Sequence, residues 1–126
     1  MKYIHITFLL FFIGCSSSLP DESLPLADHL KIGMDFLDQG KFVKAQDEFQ
    51  FILSRGTGTD YGDDAQFFLA EAYFLNEQYM LSIQEYENLT RKMAFSPFFE
   101  KARFRICEAY RICLLYTSPS PRDNTG

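Results

Sequence analysis

Apolar residues recur along most of the chain at intervals of three and four, which places them on one face of an α-helix. The pattern predicts helices at residues 27–39, 42–54, 63–75, 79–93 and from 97 onward. Gly40 is predicted to end the first helix, as glycine does at a C′ position. Asp63 or Asp64 is expected to cap the third helix, and Ser96 and Pro97 to open the fifth. The chain is therefore predicted to be all-α.

The predicted helices repeat in pairs with a period of 37 residues. The matched positions are Gly33 with Ala70, Phe36 with Tyr73, Phe42 with Tyr79, Ala45 with Ser82, Phe49 with Tyr86 and Ile52 with Leu89. Cys107 and Tyr110 continue this register into a third pair. A fixed period built of two helices is typical of a helical repeat array. We expect Gly33 and Ala45 to let paired helices approach closely, and Cys107 to be a buried, unreactive thiol.

The first 14 residues have the features of a bacterial targeting segment. Lys2 precedes an apolar run of about ten residues, the length of a signal-peptide core and too short for a membrane span. The run ends in Gly14-Cys15, which resembles a lipobox and implies that residues 1–14 are a lipoprotein signal peptide and that Cys15 is the lipidation site. An ordinary signal peptide with an incidental cysteine is the alternative. By resemblance to lipoprotein sorting, Ser16 favours the outer membrane.

The remaining boundaries follow from composition. Residues 15–26 are rich in Ser and Pro and are predicted to be a flexible linker. The repeats are assigned to residues 27–62, 63–96 and, in part, 97–112. Residues 113–126 lose the helical period and resemble translated sequencing-adapter read-through, so they are predicted to be a disordered, non-native tail replacing further repeats. A genuine disordered terminus is the alternative.

The chain offers few groups for catalysis. Its net charge of −5 argues against general nucleic-acid binding, because phosphate contacts need an excess of Lys and Arg. Three cysteines without a CxxC pair do not indicate a disulfide framework or a zinc site. His29 has no nearby Cys or second His with which to build a metal site or a triad. The acidic residues are assigned to a capped helix start and solvated faces: Asp63, Asp64, Glu71, Glu85 and Glu87. No enzymatic activity, metal or cofactor is therefore expected.

The matched positions resemble the tetratricopeptide-repeat family, with a spacing of 37 residues here where the family has about 34. The family's Trp is absent and Ala70 stands in place of its Gly. The resemblance implies a short superhelical array of antiparallel helix pairs, two complete and one half. From Cys15 to about Ile112, the lipobox, linker and repeats, with the segments 63–74 and 95–102, are similar to the BamD family of outer-membrane protein assembly lipoproteins.

This narrower resemblance implies a lipid-anchored periplasmic scaffold of the outer-membrane β-barrel assembly complex. Its partners would be a BamA-type barrel assembly factor and unfolded outer-membrane proteins, recognised by a C-terminal signal that ends in an aromatic residue. Two alternatives remain open. One is another envelope adaptor lipoprotein that coordinates cell division or peptidoglycan synthesis. The other is an envelope enzyme whose catalytic domain lies beyond residue 126.

By the geometry of the repeat family, the first helix of each pair lines a concave groove. The residues expected there are Leu30, Met34, Phe67, Glu71, Phe74, Phe104, Glu108 and Arg111. Such a groove suits an extended or helical peptide with aromatic anchors. The alternative is that these aromatics pack against neighbouring helices. Residues 60–89 hold seven acids and no Lys or Arg, whereas residues 91–112 hold six bases and two acids, an asymmetry that can steer partners.

Overall fold

The computed structural model of the protein describes residues 19–117. This part of the chain forms five α-helices and no strand. The helices are α1 (Leu26–Asp38), α2 (Phe42–Ser54), α3 (Gly62–Leu75), α4 (Tyr79–Lys92) and α5 (Phe99–Thr117). Each helix packs against the one that follows it in sequence. The predicted all-α class and the packing of helices in adjacent pairs are confirmed.

The turns inside the two helix pairs have the same backbone conformation. Gly40 has φ 70° and Glu77, which lies 37 positions later, has φ 61°. In each turn the next N–H donates to the carbonyl five residues earlier, at 2.8 Å after Gly40 and 2.9 Å after Glu77. This is the closing hydrogen bond of a helix that ends in the left-handed conformation. The period read from side chains is therefore also present in the backbone of these turns.

Gly33 allows α1 to lie directly on α2. A Cβ atom at this position would lie 2.5 Å from Cε1 of Phe49, whose side chain is fully buried. Real Cβ contacts are longer than this, so any larger residue forces the ring or the helix to move. Ala45 is also fully buried between the helices. The predicted role of these small residues in close helix packing is confirmed.

Helix α3 contributes to two apolar clusters and is the most enclosed helix. The first cluster is formed by Ala45, Phe49, Ile52, Ala65, Leu69 and Ala72. The second is formed by Phe67, Ala70, Tyr86, Leu89 and Ala102. Because α3 has α2 on one side and α4 with the start of α5 on the other, apolar residues are needed around most of its circumference.

Two helix starts differ from the sequence prediction. Helix α3 begins at Gly62, and neither Asp63 nor Asp64 is its N-cap. Helix α5 begins at Phe99, so Ser96 and Pro97 precede it. The hydroxyl of Ser96 instead donates to Asp63 at 2.9 Å. The same hydroxyl accepts a hydrogen bond from the N–H of Phe98 at 3.2 Å. Ser96 and Asp63 therefore fasten the α4–α5 loop to the start of α3.

Helix α5 continues past the predicted end of the repeats at Ile112. It runs to Thr117, so the prediction of a disordered tail is wrong for residues 113–117. Leucine and tyrosine side chains in this stretch are compatible with a helix, and the first proline of the tail is Pro119. Residues 1–18 and 118–126 lie outside the described part of the chain, as does the predicted signal peptide.

Candidate functional site

Glu71 of α3 lies at the centre of a polar cluster between α3, α4 and α5. Its side chain is only 11% exposed. Arg105 of α5 donates from Nε to Oε1 at 2.8 Å and from Nη2 to Oε2 at 3.0 Å. A bidentate pair of this kind fixes the orientation of a carboxylate and holds it more strongly than a neutral hydrogen bond. Helix α5 is thereby fastened to α3.

Tyr86 of α4 completes the coordination of this carboxylate. Its hydroxyl donates to Oε1 of Glu71 at 2.5 Å, and its side chain is fully buried. Burial, followed by the hydrogen bond to Glu71, raises the pKa of Tyr86 well above its ordinary value of 10.0. The phenol therefore remains a proton donor at neutral pH, and one carboxylate joins side chains from α4 and α5.

Arg105 has two further contacts that fix its guanidinium. Nη1 donates to Oε2 of Glu108 at 2.9 Å. The guanidinium carbon lies 4.7 Å from the ring centroid of Phe74, a cation–π contact. Burial opposes the charge of Arg105, but its hydrogen bonds to Glu71 and Glu108 outweigh burial and raise its pKa. The group is therefore held as a permanent cation inside the cluster.

A small cavity opens on the outer side of α5, next to the polar cluster. It has a volume of about 190 Å³ and is lined by Phe104, Cys107, Glu108 and Arg111. These residues lie three or four positions apart, so they share one face of the helix. The side chain of Phe104 is 67% exposed and Arg111 is also exposed. An apolar ring, a carboxylate and a guanidinium thus border one opening.

The structure brings together five of the residues predicted for the groove, in two connected groups. Glu71, Phe74 and Glu108 all contact Arg105. Phe104, Glu108 and Arg111 border the cavity. Met34 of α1 is exposed and occupies the position equivalent to Glu71 in the first pair. Leu30 is partly buried against the first apolar cluster.

Phe67 does not face an open groove, contrary to the prediction, and instead packs against neighbouring residues. Its side chain is fully buried and stacks on Phe98 with ring centroids 4.5 Å apart. Phe104 is its counterpart 37 positions later and is exposed. The difference arises because the loop before α5 covers Phe67, while no following helix covers Phe104 within the described residues.

Cys107 is exposed, which contradicts the prediction of a buried thiol. Its counterparts Gly33 and Ala70 are buried because the second helix of each pair packs over them. In the stretch 19–117, α5 is not followed by such a helix, so the same face of α5 is open.

The prediction that Glu71 lies on a solvated face is also wrong, and Arg105 was not identified as a site residue. The two lie 34 positions apart, and no local pattern connects them. The 37-residue register placed Glu71 and Glu108 at equivalent positions and was the one signal available. It indicates that both carboxylates face the same side of the array, where a cation between them is favoured.

His29 and Glu48 form a second buried polar pair that the sequence did not reveal. Nδ1 of His29 lies 2.6 Å from Oε2 of Glu48, and the histidine is fully buried. Its ring lies 4.2 Å from that of Phe51. The pair connects α1 to α2 and is enclosed in their interface, so we assign it to packing of the first helix pair.

Within residues 19–117, no three His, Cys, Asp or Glu side chains are grouped closely enough to hold a metal ion. None of the helices in that range combines the length and apolarity needed to cross a membrane. Cys15, the predicted lipidation site, lies outside the described residues. A comparison with protein-family models finds no match to the chain, and no curated protein is significantly similar to it in sequence.

Proposed function

We propose that this chain is the repeat region of a lipid-anchored periplasmic scaffold that serves outer-membrane β-barrel protein assembly. Its helix pairs are then tetratricopeptide-like and form a short superhelical array. Cys15 carries the lipid, a BamA-type assembly factor and unfolded barrel proteins are the partners, and the role is binding without catalysis. The observation that carries the proposal is the recurrence of one helix-pair unit after 37 residues, downstream of Gly14-Cys15.

The repeat interpretation is supported by contacts as well as by spacing. The turns at Gly40 and Glu77 share one conformation. Gly33 and Ala70 are buried at equivalent places, against Phe49 in the first pair and in one cluster with Tyr86 in the second. Stacked units that each bury the open face of the previous one are the building principle of repeat arrays.

The cavity on α5 supports a binding role. Phe104 offers an exposed aromatic surface, and Arg111 offers a charge about two helical turns further along α5. A bound peptide that ends in an aromatic residue and a free carboxylate would be complementary to this ring and this guanidinium. The neighbouring Arg105 is fixed by Glu71 and Glu108, so the cavity is bordered by a rigid helix rather than a loop. The end of an unfolded barrel protein has this chemistry.

A pull-down from detergent-solubilised envelopes with the tagged full-length protein tests the partners. We expect a BamA-type factor among the recovered proteins. Recovery of cell-division or peptidoglycan-synthesis proteins without any such factor would contradict the assembly role and favour the other adaptor class.

The anchor is tested separately by metabolic labelling with palmitate. Cys15→Ala is expected to abolish the label, whereas Cys107→Ala, which removes an exposed thiol of the folded domain, leaves it unchanged. A label that persists in Cys15→Ala would show that the anchor is elsewhere or absent.

A further inference from the structure

Each helix packs against the next and is joined to it by a short connection, so neighbouring helices are antiparallel and alternate connections lie at the same end of the molecule. The start of α1, the α2–α3 loop and the α4–α5 loop share one end. Glu22, before α1, lies 3.7 Å from Arg55 at the end of α2. Ser96, in the α4–α5 loop, donates to Asp63 at the start of α3. We call this end, formed by residues 19–25, 55–61 and 93–98, the tether end.

The tether end presents apolar side chains to solvent. Phe95 is fully exposed in the α4–α5 loop, and Leu19 is 84% exposed just before α1. Between the two loops is an open cavity of about 300 Å³, with Lys92 and Phe95 on one side and Thr57 on the other. Phe95 is not part of the apolar clusters of this fold, so its ring is free to contact a surface outside the domain.

The length of the tether limits where this end can lie. Asp21 accepts hydrogen bonds from Ser23 and from the N–H of Leu24, in a turn that leads directly into α1, so the length of the tether is counted from Asp21. Asp21 lies only six positions after Cys15. At about 3.3–3.6 Å per residue, such a segment reaches roughly 20 Å when fully extended. A lipid on Cys15 therefore keeps the tether end within about that distance of the bilayer.

We propose that the tether end is the membrane-facing surface of the domain, with Phe95 inserted among the lipid headgroups; this rests on the proposed lipidation of Cys15. Aromatic side chains are favoured at the boundary between headgroups and acyl chains. The contact orients the helices so that the opposite end, where α2 and α4 begin, points away from the membrane.

The proposal is tested with single tryptophan reporters, because the chain contains no Trp. Phe95→Trp places one at the tether end. Val43→Trp places the control at the opposite end, at the start of α2, where the side chain is 60% exposed. The acylated full chain is reconstituted into vesicles of phosphatidylethanolamine and phosphatidylglycerol, some carrying brominated acyl chains. Both positions are exposed, so the fold tolerates either substitution, and circular dichroism verifies this.

We expect emission from the reporter at position 95 to shift to the blue on reconstitution and to be largely quenched by the brominated lipids. The reporter at position 43 is expected to stay unquenched. Equal quenching at both positions, or none at position 95 in acylated protein, overturns the membrane contact alone. A reporter at position 95 that is shielded by added envelope proteins but not by vesicles also overturns it, in favour of a protein contact. Absence of an acyl group on Cys15 by mass spectrometry overturns the proposed function together with this inference.

Discussion

Arg105 of α5 and Glu71 of α3 form two parallel hydrogen bonds, 2.8 Å and 3.0 Å long, between consecutive helix pairs. Tyr86 of α4 donates to the same carboxylate. One nearly buried acid therefore links the second helix pair to the helix that follows it. The same contact fixes the helix that carries Phe104 and Arg111, so the packing of the array and the shape of the candidate site depend on one ion pair.

Loss of Arg105 is expected to destabilise the domain. Arg105→Ala leaves the carboxylate of Glu71 enclosed with one remaining donor, Tyr86, and a buried charge without its partner is costly. We expect the free energy of unfolding, measured by urea denaturation, to fall by about 2–4 kcal/mol. Arg103→Ala, at an exposed position of the same helix, is the matched control and should change it by less than about 0.5 kcal/mol. Equal effects of the two substitutions would refute a stabilising role for the pair of Arg105 and Glu71.

Tyr86 gives the domain an alkaline limit. Because the pKa of Tyr86 is raised in the folded chain, folding requires the protonated phenol. Its contribution to stability is fully present below the ordinary pKa of 10.0 and is lost as the pH rises above it, where the unfolded chain releases the proton. Tyr86→Phe should lower stability at neutral pH by about 1–3 kcal/mol and flatten this alkaline decline. Tyr110→Phe, at an exposed position, serves as the control, and a decline that is as steep in Tyr86→Phe as in the parent would contradict the argument.

The two equivalent turns respond oppositely to glycine. Glu77 adopts φ 61°, a conformation that costs an L-residue with a Cβ atom about 1 kcal/mol. Glu77→Gly is therefore expected to raise the thermal midpoint, with a gain of about 0.5–1 kcal/mol. Gly40→Ala should lower the free energy of unfolding by a similar amount, because Gly40 has φ 70°. Gly58→Ala, at an open position without a left-handed φ, is the control and should be near neutral. A destabilised Glu77→Gly variant would contradict the equivalence of the turns.

Close packing of the first pair is tested at Gly33. Gly33→Ala places a Cβ atom 2.5 Å from the ring of Phe49 and should cost about 1–3 kcal/mol of unfolding free energy. Phe49→Leu removes the ring atoms involved and destabilises the domain by leaving a space. In the double variant the added methyl group occupies part of that space. The double variant should therefore lose less unfolding free energy than the two single variants lose in sum. Strict additivity would show that the two residues do not pack against one another.

The helices were predictable because each has a local signal. The α2 boundaries at Phe42 and Ser54 follow from a regular apolar spacing, and the end of α1 follows from Gly40. Helix starts were less predictable: α3 begins at Gly62 and α5 at Phe99, and Asp63 and Ser96 bind one another. That contact joins residues 33 positions apart, and nothing in the local sequence indicates it.

The sequence predicted which repeat positions form the candidate site but not which of their side chains are exposed. The repeat placed Phe67 and Phe104 at equivalent positions, and only the covering by Phe98 distinguishes them. For α3, the apolar spacing does not show which residues are exposed, because a helix with neighbours on both sides is apolar around most of its surface. The Glu71–Arg105 pair required knowledge of how the helix pairs stack, and the exposure of Cys107 depends on the helix that follows α5.

The central claim, that this repeat domain binds barrel-assembly partners through the cavity on α5, is tested most directly by site-specific photo-crosslinking in cells. The photoreactive residue replaces Phe104, and in the control it replaces Met80, which is similarly exposed at 65% but lies on α4. Crosslinks from position 104, and not from position 80, to a BamA-type factor or to unfolded outer-membrane proteins are the predicted result. Absence of these crosslinks at position 104, or their equal yield at position 80, would contradict the account.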